Sequence, residues 1–220
     1  MSVAHAYDDT TEFVTRHTTE ARASLVPELE LRLAIHVVPL WEHMESEFEE
    51  RGLPPPYWAF AWAGGQALAR YVLDRSELVR GRTVLDFAAG SGIAGIAAAR
   101  AGALSVLCAD IDPFAAAACM LNGSLNHVAI NTTMDDLIGG DLVPDVVLAG
   151  DIFYEAPLAA RAQGWLKSLA GAGALVLVGD PGRTYLPKSG LARLAEYEVA
   201  TTRELEDSEL RRTAVYRLLA

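Results

Sequence analysis

Short apolar runs alternate with longer segments of helical periodicity through most of the chain. Strands are predicted where the apolar runs fall, with one ending at Val84 and Leu85 and others at residues 106–109, 130–133, 145–149 and 174–179. Helices are predicted at residues 66–73, from Ile93 onward, and at residues 114–125 and 157–169. Apolar strands joined by helices form parallel sheets, and such sheets bind ligands beyond the carboxyl ends of their strands. The pattern therefore predicts an α/β fold with its site at that edge.

The two ends of the chain follow this pattern less clearly. Residues 1–50 are charged and helical in pattern, with Leu29, Leu33, His36 and Leu40 three or four apart and Pro39 as an interruption. We expect a helical N-terminal appendage there, packed on a main domain at residues 51–220. The acidic run 42–50 is interpreted as a solvated helix face, with a docking surface for a basic partner as the alternative. Near the C-terminus we expect a helix near Leu191, a strand at 197–201 and a final strand at 214–219.

Composition narrows the class of protein. A chain of 220 residues with 51% hydrophobic content suits a single domain. The net charge of −11 argues against a nucleic-acid partner. We expect a soluble, cytoplasmic protein without a membrane partner, because the chain has neither an apolar run of about eighteen residues nor a recognisable leader. Cys108 and Cys119 are expected to be buried, reduced thiols. His36 and His43 share a helical face without a third ligand, so no metal is expected.

The stretch TVLDFAAGSGIAGIAAAR at residues 83–100 carries the strongest chemical signal. Gly90, Gly92 and Gly95 lie between a strand and a small-residue helix, where a missing side chain lets a ligand approach the backbone. Nicotinamide, flavin and S-adenosylmethionine binders share this spacing. Asp86, four residues before Gly90, would repel a pyrophosphate but suits a ligand with an ammonium and a sulfonium. The stretch resembles the acid-x-Gly-x-Gly-x-Gly signature of class I methyltransferases, with Ala88 in place of the first glycine; a turn for another nucleotide is the alternative.

Further cofactor contacts are predicted after the next two strands. Asp110, twenty residues after Gly90, is placed to bind ribose hydroxyls, with Ile111 beside it, whereas Asp112 before Pro113 suits a helix cap as well as a ligand. An acid after the third strand, Asp135 or its neighbour Asp136, is expected at the adenine, and we choose Asp135. Trp62 is predicted to pack over the sulfonium, with a core aromatic as the alternative.

The substrate side is predicted after the fourth and fifth strands. Asp151 would orient a substrate amine, with Phe153 and Tyr154 as the channel wall; a cap for a helix starting near Ala156 is the alternative. Trp58, Glu155 and Arg183 are predicted to contact the substrate. A plain turn followed by a solvated arginine is the alternative for residues 179–183.

In chain order, PYWAFAWAGGQALARYVLD, VLDFAAGSG, DIDP, GDIFYE and GDPGR resemble the electron transfer flavoprotein beta-subunit lysine methyltransferases over about residues 27–220. The resemblance implies a Rossmann-like, seven-stranded sheet, mostly parallel with an antiparallel C-terminal strand. It also implies S-adenosylmethionine as cofactor, S-adenosylhomocysteine as product, and lysines near the recognition loop of the flavoprotein beta subunit as substrate. Trp62, Gly90, Asp110 and Asp151 match its site positions.

Eukaryotic members of that family carry mitochondrial presequences, and we expect this chain to be a bacterial-type, cytosolic member. Two alternatives remain open. One is a methyltransferase for another protein, such as a ribosomal protein. The other is a non-catalytic S-adenosylmethionine-binding partner of the flavoprotein, against which the intact Asp151 speaks.

Overall fold

The computed structural model describes residues 3–34, 55–203 and 208–220. Its helices are α1 (Val3–His17), α2 (Ala63–Asp74), α3 (Ile93–Arg100), α4 (Pro113–Leu125) and α5 (Ala156–Gly171). Its strands are β1 (Thr19–Arg22), β2 (Glu30–Leu33), β3 (Thr83–Phe87), β4 (Ser105–Ala109), β5 (Asn131–Thr133), β6 (Val146–Gly150), β7 (Leu175–Asp180), β8 (Leu191–Ala200) and β9 (Leu210–Leu218). The predictions for His36, Pro39, Leu40, His43 and the acidic run 42–50 lie outside the described residues.

Seven strands form one sheet in the order β5-β4-β3-β6-β7-β9-β8. The first five are parallel, β9 runs antiparallel to β7, and β8 pairs antiparallel with β9. This confirms the predicted Rossmann-like, mostly parallel sheet with an antiparallel C-terminal strand. The chain moves outward from β3 in one direction and then returns to β6 for the other, so β3 and β6 are neighbours at the point where the order reverses. Ligands of open α/β sheets bind at such a point.

Helices cover both faces of this sheet. On one face α2 places Leu68 and Val72 against strand residues such as Leu148. On the other face α5 places Trp165 and Leu166 against strand residues. Strands buried on both faces are apolar almost throughout, which is why they were easily predicted from sequence. None of the helices in the described part of the chain combines the length and apolar character needed to cross a bilayer.

The helical prediction for the segment around Leu29 and Leu33 is wrong. α1 is helical, but β1 and β2 form an antiparallel hairpin in which Thr19 pairs with Leu33. Leu29, Leu31 and Leu33 fit a two-residue period, and the four-residue spacing of the outer two also fits a helix, so the pattern was ambiguous. The buried side chains of Leu29 and Leu31 pack with Ile96 of α3, so the hairpin lies against the core. The domain boundary at residue 50 stays a prediction.

The predicted helix near Leu191 is also wrong, because this residue begins the long strand β8. The register of β8 against β9 shifts between Arg193 and Ala195. One extra residue in a strand breaks the alternation of apolar positions, and the shifted pattern resembles a helical period. The predicted strand at 197–201 is the second half of β8, and the last strand begins at Leu210, four residues earlier than predicted.

Candidate active site

A cavity of about 660 Å³ lies beyond the carboxyl ends of the parallel strands. This volume lies within the range of about 300–1,000 Å³ that is typical of small-molecule sites. Among the residues predicted to bind cofactor, it is lined by Trp62, Asp86, Ala88, Gly90, Asp110, Ile111 and Asp135. Among those predicted on the substrate side, it is lined by Trp58, Asp151, Tyr154, Glu155 and Arg183. The topology thus brings most of both predicted sets into one cavity, and only Gly92 and Phe153 are not among its lining residues.

The loop after β3 turns sharply beneath this cavity. Ala88, Gly90 and Gly92 all have positive φ angles, of 52°, 52° and 76°. A Cβ at Gly90 would meet nothing nearer than 3.8 Å, so the backbone there is open to a ligand. A Cβ at Gly92 would lie 2.9 Å from the Cys119 Sγ, and Gly92 does not line the cavity. The prediction that Gly92 contacts cofactor is therefore corrected: this glycine lets the loop pack on a thiol.

Asp86 is the penultimate residue of β3, and it is almost completely buried. Its Oδ2 accepts a hydrogen bond of 2.7 Å from the backbone N–H of Gly95 in the first turn of α3. Burial raises the pKa of Asp86 to about 7, and the nearby Asp110 adds to the increase. Binding of a cation would favour the ionised carboxylate. The side chain is thus a suitable partner for a positively charged ligand.

Asp110 and Asp112 make different hydrogen bonds. Asp110 accepts from the backbone N–H of Gly90 at 2.9 Å and of Asp112 at 3.1 Å, and both aspartates line the cavity. Asp112 accepts at 2.8 Å from the Phe114 N–H as the N-cap of α4. Burial raises the pKa of both carboxyl groups. Asp112 therefore caps α4, and Asp110 as the ribose ligand stays a prediction.

The loop after β5 forms the wall where adenine is expected. Asp136 forms an ion pair with Arg161, and this hydrogen bond lowers the pKa of Asp136. Asp135 accepts at 2.8 Å from the Thr133 hydroxyl. The apolar side chains Leu137 and Ile138 follow, and with Ile111, which is 69% exposed, they line the cavity. Sequence reasoning missed Leu137 and Ile138; two apolar residues directly after an acid pair were the available signal.

Asp151 follows β6 and is held from three directions. Its backbone adopts a positive φ of 55°, with its N–H donating to the Gly179 carbonyl at 2.9 Å. Its Oδ2 accepts from the Gly65 N–H at 3.1 Å. Its Oδ1 accepts from Arg183 Nη2 at 2.8 Å and Nε at 3.3 Å. The alternative that Asp151 caps a helix is wrong, because Glu155 occupies the N-cap position of α5.

Two glycines at the start of α2 make this arrangement possible, and sequence reasoning missed both. A Cβ at Gly64 would lie 2.2 Å from the Gly179 carbonyl oxygen and 2.5 Å from Asp151 Oδ2. Gly65 supplies the N–H that Asp151 binds. Two consecutive glycines are unfavourable within a helix, which was the signal that could have found them.

Aromatic rings lie beside Asp151 at the cavity mouth. Tyr57 contacts both Tyr154 and Trp62, with ring centroids 5.2 and 5.9 Å apart. The Trp62 indole N–H donates to the Tyr57 carbonyl at 2.8 Å, and the Arg183 guanidinium lies 5.7 Å from the Trp62 ring centroid. Burial raises the pKa of the Tyr154 phenol, which therefore stays protonated. Glu155 is exposed at the rim.

The structure corrects two predictions on the substrate side. Phe153 is fully buried in the core with residues of α5 and does not line the cavity, so it is not a channel wall. Trp58 is 1% exposed and stacks on Phe114 with ring centroids 6.0 Å apart, so it supports the cavity floor instead of meeting a protein substrate. The alternative of a solvated Arg183 is also wrong, because its side chain is 17% exposed and ion-paired.

The structure confirms the prediction for the two cysteines but does not test the prediction that no metal binds. Cys108 and Cys119 are both buried free thiols, as predicted. In the part of the chain that the structure describes, no cluster of three or more His, Cys, Asp or Glu side chains could hold a metal. The absence of a metal cofactor stays a prediction.

The sheet order and the cavity at its reversal point are those of the class I methyltransferase fold. Consistent with this fold, the chain is similar to a crystal structure of magnesium protoporphyrin IX methyltransferase from Synechocystis PCC 6803 with bound S-adenosylmethionine (TM-score 0.53, 15% identity, 82% of this chain and 96% of that one). The family model described as ribosomal protein L11 methyltransferase (PrmA) matches residues 66–168.

Closer relatives define the particular family. An electron transfer flavoprotein beta subunit lysine methyltransferase from Danio rerio is 38% identical over 225 residues, covering 99% of this chain and 86% of the relative. A protein of the same name from Xenopus laevis is 38% identical, covering 93% of this chain and 85% of the relative. The chain belongs to the electron transfer flavoprotein beta subunit lysine methyltransferase family, as its motifs indicated.

Proposed function

We propose that this protein transfers a methyl group from S-adenosylmethionine to lysine side chains of the electron transfer flavoprotein beta subunit. The observation that carries this proposal is a single cavity with two chemically distinct ends. At one end Asp110 and the open backbone at Gly90 suit a nucleoside. At the other end a buried carboxylate, Asp151, lies among aromatic rings and suits an amine.

The cofactor end fits S-adenosylmethionine in size and charge. Asp110 would bind the ribose hydroxyls, the apolar wall at Leu137 and Ile138 would contact adenine, and Asp86 would provide negative charge near the cationic part of the cofactor. Carboxylate oxygens that already accept one hydrogen bond keep lone pairs for ligand donors. When bound, the cofactor supplies an electrophilic methyl group on a sulfonium.

The substrate end must receive a lysine amine and present its lone pair. Free lysine has a pKa of about 10.4, so forming the neutral amine at pH 7 costs roughly 4–5 kcal/mol. Holding the amine in line with the reacting carbon can lower the barrier by about 7–11 kcal/mol. Asp151 would accept an N–H of the amine and orient it, whether or not it also removes the proton. The neutral Tyr154 phenol would form the wall in place of Phe153.

Coverage of the substrate end favours the flavoprotein over a ribosomal protein as the target. The match to the ribosomal protein L11 methyltransferase family model runs from residue 66 to residue 168, so it includes neither Trp62 nor Arg183. The flavoprotein-methylating relatives match nearly the whole chain. A non-catalytic role is disfavoured because Asp151 and aromatic residues such as Tyr154 are all present and line the cavity.

Labelled methyl transfer tests the proposal. In separate reactions, the protein is incubated with methyl-labelled S-adenosylmethionine and either purified electron transfer flavoprotein or purified ribosomal protein L11, and methyl-lysines are mapped by mass spectrometry. We expect label on lysines of the beta subunit, and none with Asp151→Asn. The exposed loop residue Asp141 provides a charge-matched control, since Asp141→Asn should transfer normally. Label on ribosomal protein L11 instead of the beta subunit would contradict the proposed substrate, and label on neither would contradict both candidates.

A further inference from the structure

Arg183 contacts the groups that would recognise a lysine ammonium. Its Nη2 donates to Asp151 Oδ1 at 2.8 Å, and its guanidinium carbon lies 5.7 Å from the Trp62 ring centroid. The side chains of this ion pair are only 17% and 11% exposed, for Arg183 and Asp151 respectively. A carboxylate and the face of a tryptophan are both preferred partners of an organic cation. The chain thus places its own cation where the substrate's cation is expected.

The backbone that carries Arg183 is fixed independently of this ion pair. Asp180, at the end of β7, accepts hydrogen bonds from the backbone N–H groups of Gly182 at 2.7 Å and Arg183 at 2.6 Å. Asp180 is 1% exposed, so this turn is anchored in the sheet. The long side chain of Arg183 can therefore rotate away from Asp151 while its backbone stays in place.

The two carboxylate oxygens of Asp151 have different partners. Its Oδ2 is engaged by the backbone N–H of Gly65, which belongs to α2 and cannot leave. Its Oδ1 is engaged by Arg183. A carboxylate oxygen has about two lone-pair sites, and Oδ1 already accepts two hydrogen bonds from Arg183, so an ammonium that binds Oδ1 from the cavity has to replace at least one of them.

We propose that Arg183 is a resident cation at the substrate-ammonium subsite and is displaced by the incoming side chain. A buried carboxylate without a partner is unfavourable, and the arginine supplies Asp151 with a counter-charge and holds its orientation until an amine arrives. The exchange makes Arg183 a specificity-determining residue, because an amine must compete with a guanidinium to enter. This inference rests on the proposed amine site but not on the identity of the protein substrate.

The same contacts would also allow Arg183 to stay in place and position Asp151. Binding experiments with small cations distinguish this role from displacement. If Arg183 is displaced, its removal opens the subsite, and free guanidinium then competes with an amine for Asp151. If Arg183 instead stays in place and only positions Asp151, its removal weakens amine binding, and free guanidinium restores it. The two roles thus predict guanidinium effects of opposite sign.

The experiment uses n-butylammonium as a lysine side-chain probe and guanidinium as the competitor, at constant ionic strength. Binding to the full-length protein and to Arg183→Met is followed by the NMR shift of the Trp62 indole N–H. We expect n-butylammonium to bind Arg183→Met about tenfold more tightly, as for loss of one competing charge-assisted hydrogen bond. Guanidinium should raise the apparent Kd of n-butylammonium for this variant. Asp151→Asn in the Arg183→Met background should lose the gain.

Arg193→Met is the matched control, because Arg193 is an exposed arginine on β8 and the variant loses the same charge. Its affinity for n-butylammonium should equal that of the unmodified protein. If Arg183→Met fails to fold, Arg183→Lys serves instead, with an intermediate gain in affinity, because lysine lacks the forked donor geometry. The inference would be overturned if the Arg183 variant bound n-butylammonium no more tightly than the unmodified protein does. It would also be overturned if added guanidinium made n-butylammonium bind more tightly. Methyl transfer is not measured, so an error in the proposed protein substrate would leave this result standing.

Discussion

The two ends of the cavity hold their carboxylates in different ways. At the cofactor end Asp86 and Asp110 accept backbone N–H groups, and burial raises the pKa of both. At the substrate end Asp151 accepts one backbone N–H, from Gly65, and shares its other oxygen with Arg183. Backbone donors cannot leave without a rearrangement of the loop, whereas a side-chain cation can. The cofactor end is therefore built for a constant ligand, and the substrate end for exchange.

The largest expected effect comes from removing the charge at the substrate end. Asp151→Asn should lower kcat by about 10²–10⁴-fold, the usual range for loss of an acid–base group. Asparagine tolerates a positive φ, so the variant tests the charge without adding backbone strain. The cofactor Kd, measured by calorimetry, should change less than twofold if the ends are independent. Normal turnover would remove Asp151 from the mechanism.

The matching change at the cofactor end should act on binding instead. Each carboxylate oxygen of Asp110 accepts one backbone N–H, from Gly90 or from Asp112. In Asp110→Asn one of these oxygens becomes an NH₂ group, which cannot accept that hydrogen bond. We expect the cofactor Kd to rise by about 10–100-fold, as for loss of a hydrogen bond to a charged group. At saturating cofactor kcat should be nearly unchanged. Asp112→Asn is the control, because asparagine caps a helix as well as aspartate does and should leave the Kd unaltered. An unchanged Kd in Asp110→Asn would refute the ribose assignment.

The pH dependence of cofactor binding should sharpen the contrast further. Asp86 has a pKa raised to about 7, so in the empty site it takes up a proton as the pH falls below 7. A cationic ligand requires the ionised form, so affinity should fall by about tenfold from pH 7 to pH 5.5, a range in which an α-amino group stays protonated. The fall should disappear in Asp86→Asn. It should persist in Asp112→Asn, although burial also raises the pKa of Asp112 to about 7. A slope that survives in Asp86→Asn would assign the proton to another group.

The smallest expected effect tests the backbone of the cofactor loop. Ala88 has a φ of 52°, which costs an L-residue about 1–2 kcal/mol. Ala88→Gly relieves that strain but increases the entropy of the unfolded chain by about 0.5–1 kcal/mol, so stability should stay level or rise slightly. The neighbouring Ala89 lacks a positive φ, and Ala89→Gly should lower the free energy of unfolding by about 0.5–1 kcal/mol. Chemical denaturation measures both. Equal losses would show that Ala88 is unstrained.

The parallel core of the fold could be predicted from sequence because its strands are buried on both faces. Short apolar runs such as the one at β6 have few other interpretations when helices flank them. The hairpin at β2 and the strand β8 could not be predicted, since both carry spacings shared by helix and strand. In β8 the reason is one extra residue between Arg193 and Ala195, which no local pattern reveals.

The candidate site was predictable where a residue's position in the chain fixes its place at a strand end. Asp86 falls there because it is the penultimate residue of a buried strand, and Asp110 and Asp151 because each directly follows one. The side-chain directions of Phe153 and Trp58 were not predictable, because neither residue lies in a strand of the sheet and their burial depends on helices distant in the sequence. The partner of Arg183 is thirty-two residues away in sequence, so only the fold brings it to Asp151.

The close approach of Gly64 and Gly179 limits how this enzyme can evolve. A Cβ on either residue would lie 2.2 Å from the carbonyl oxygen of the other, so no side chain can be introduced at one position and accommodated by a change at its partner. Single substitutions at these two glycines therefore cannot shift Asp151 gradually between α2 and β7. New substrates would have to be acquired at the rim, where Tyr154 and Glu155 are exposed, while the carboxylate that meets the amine stays where it is.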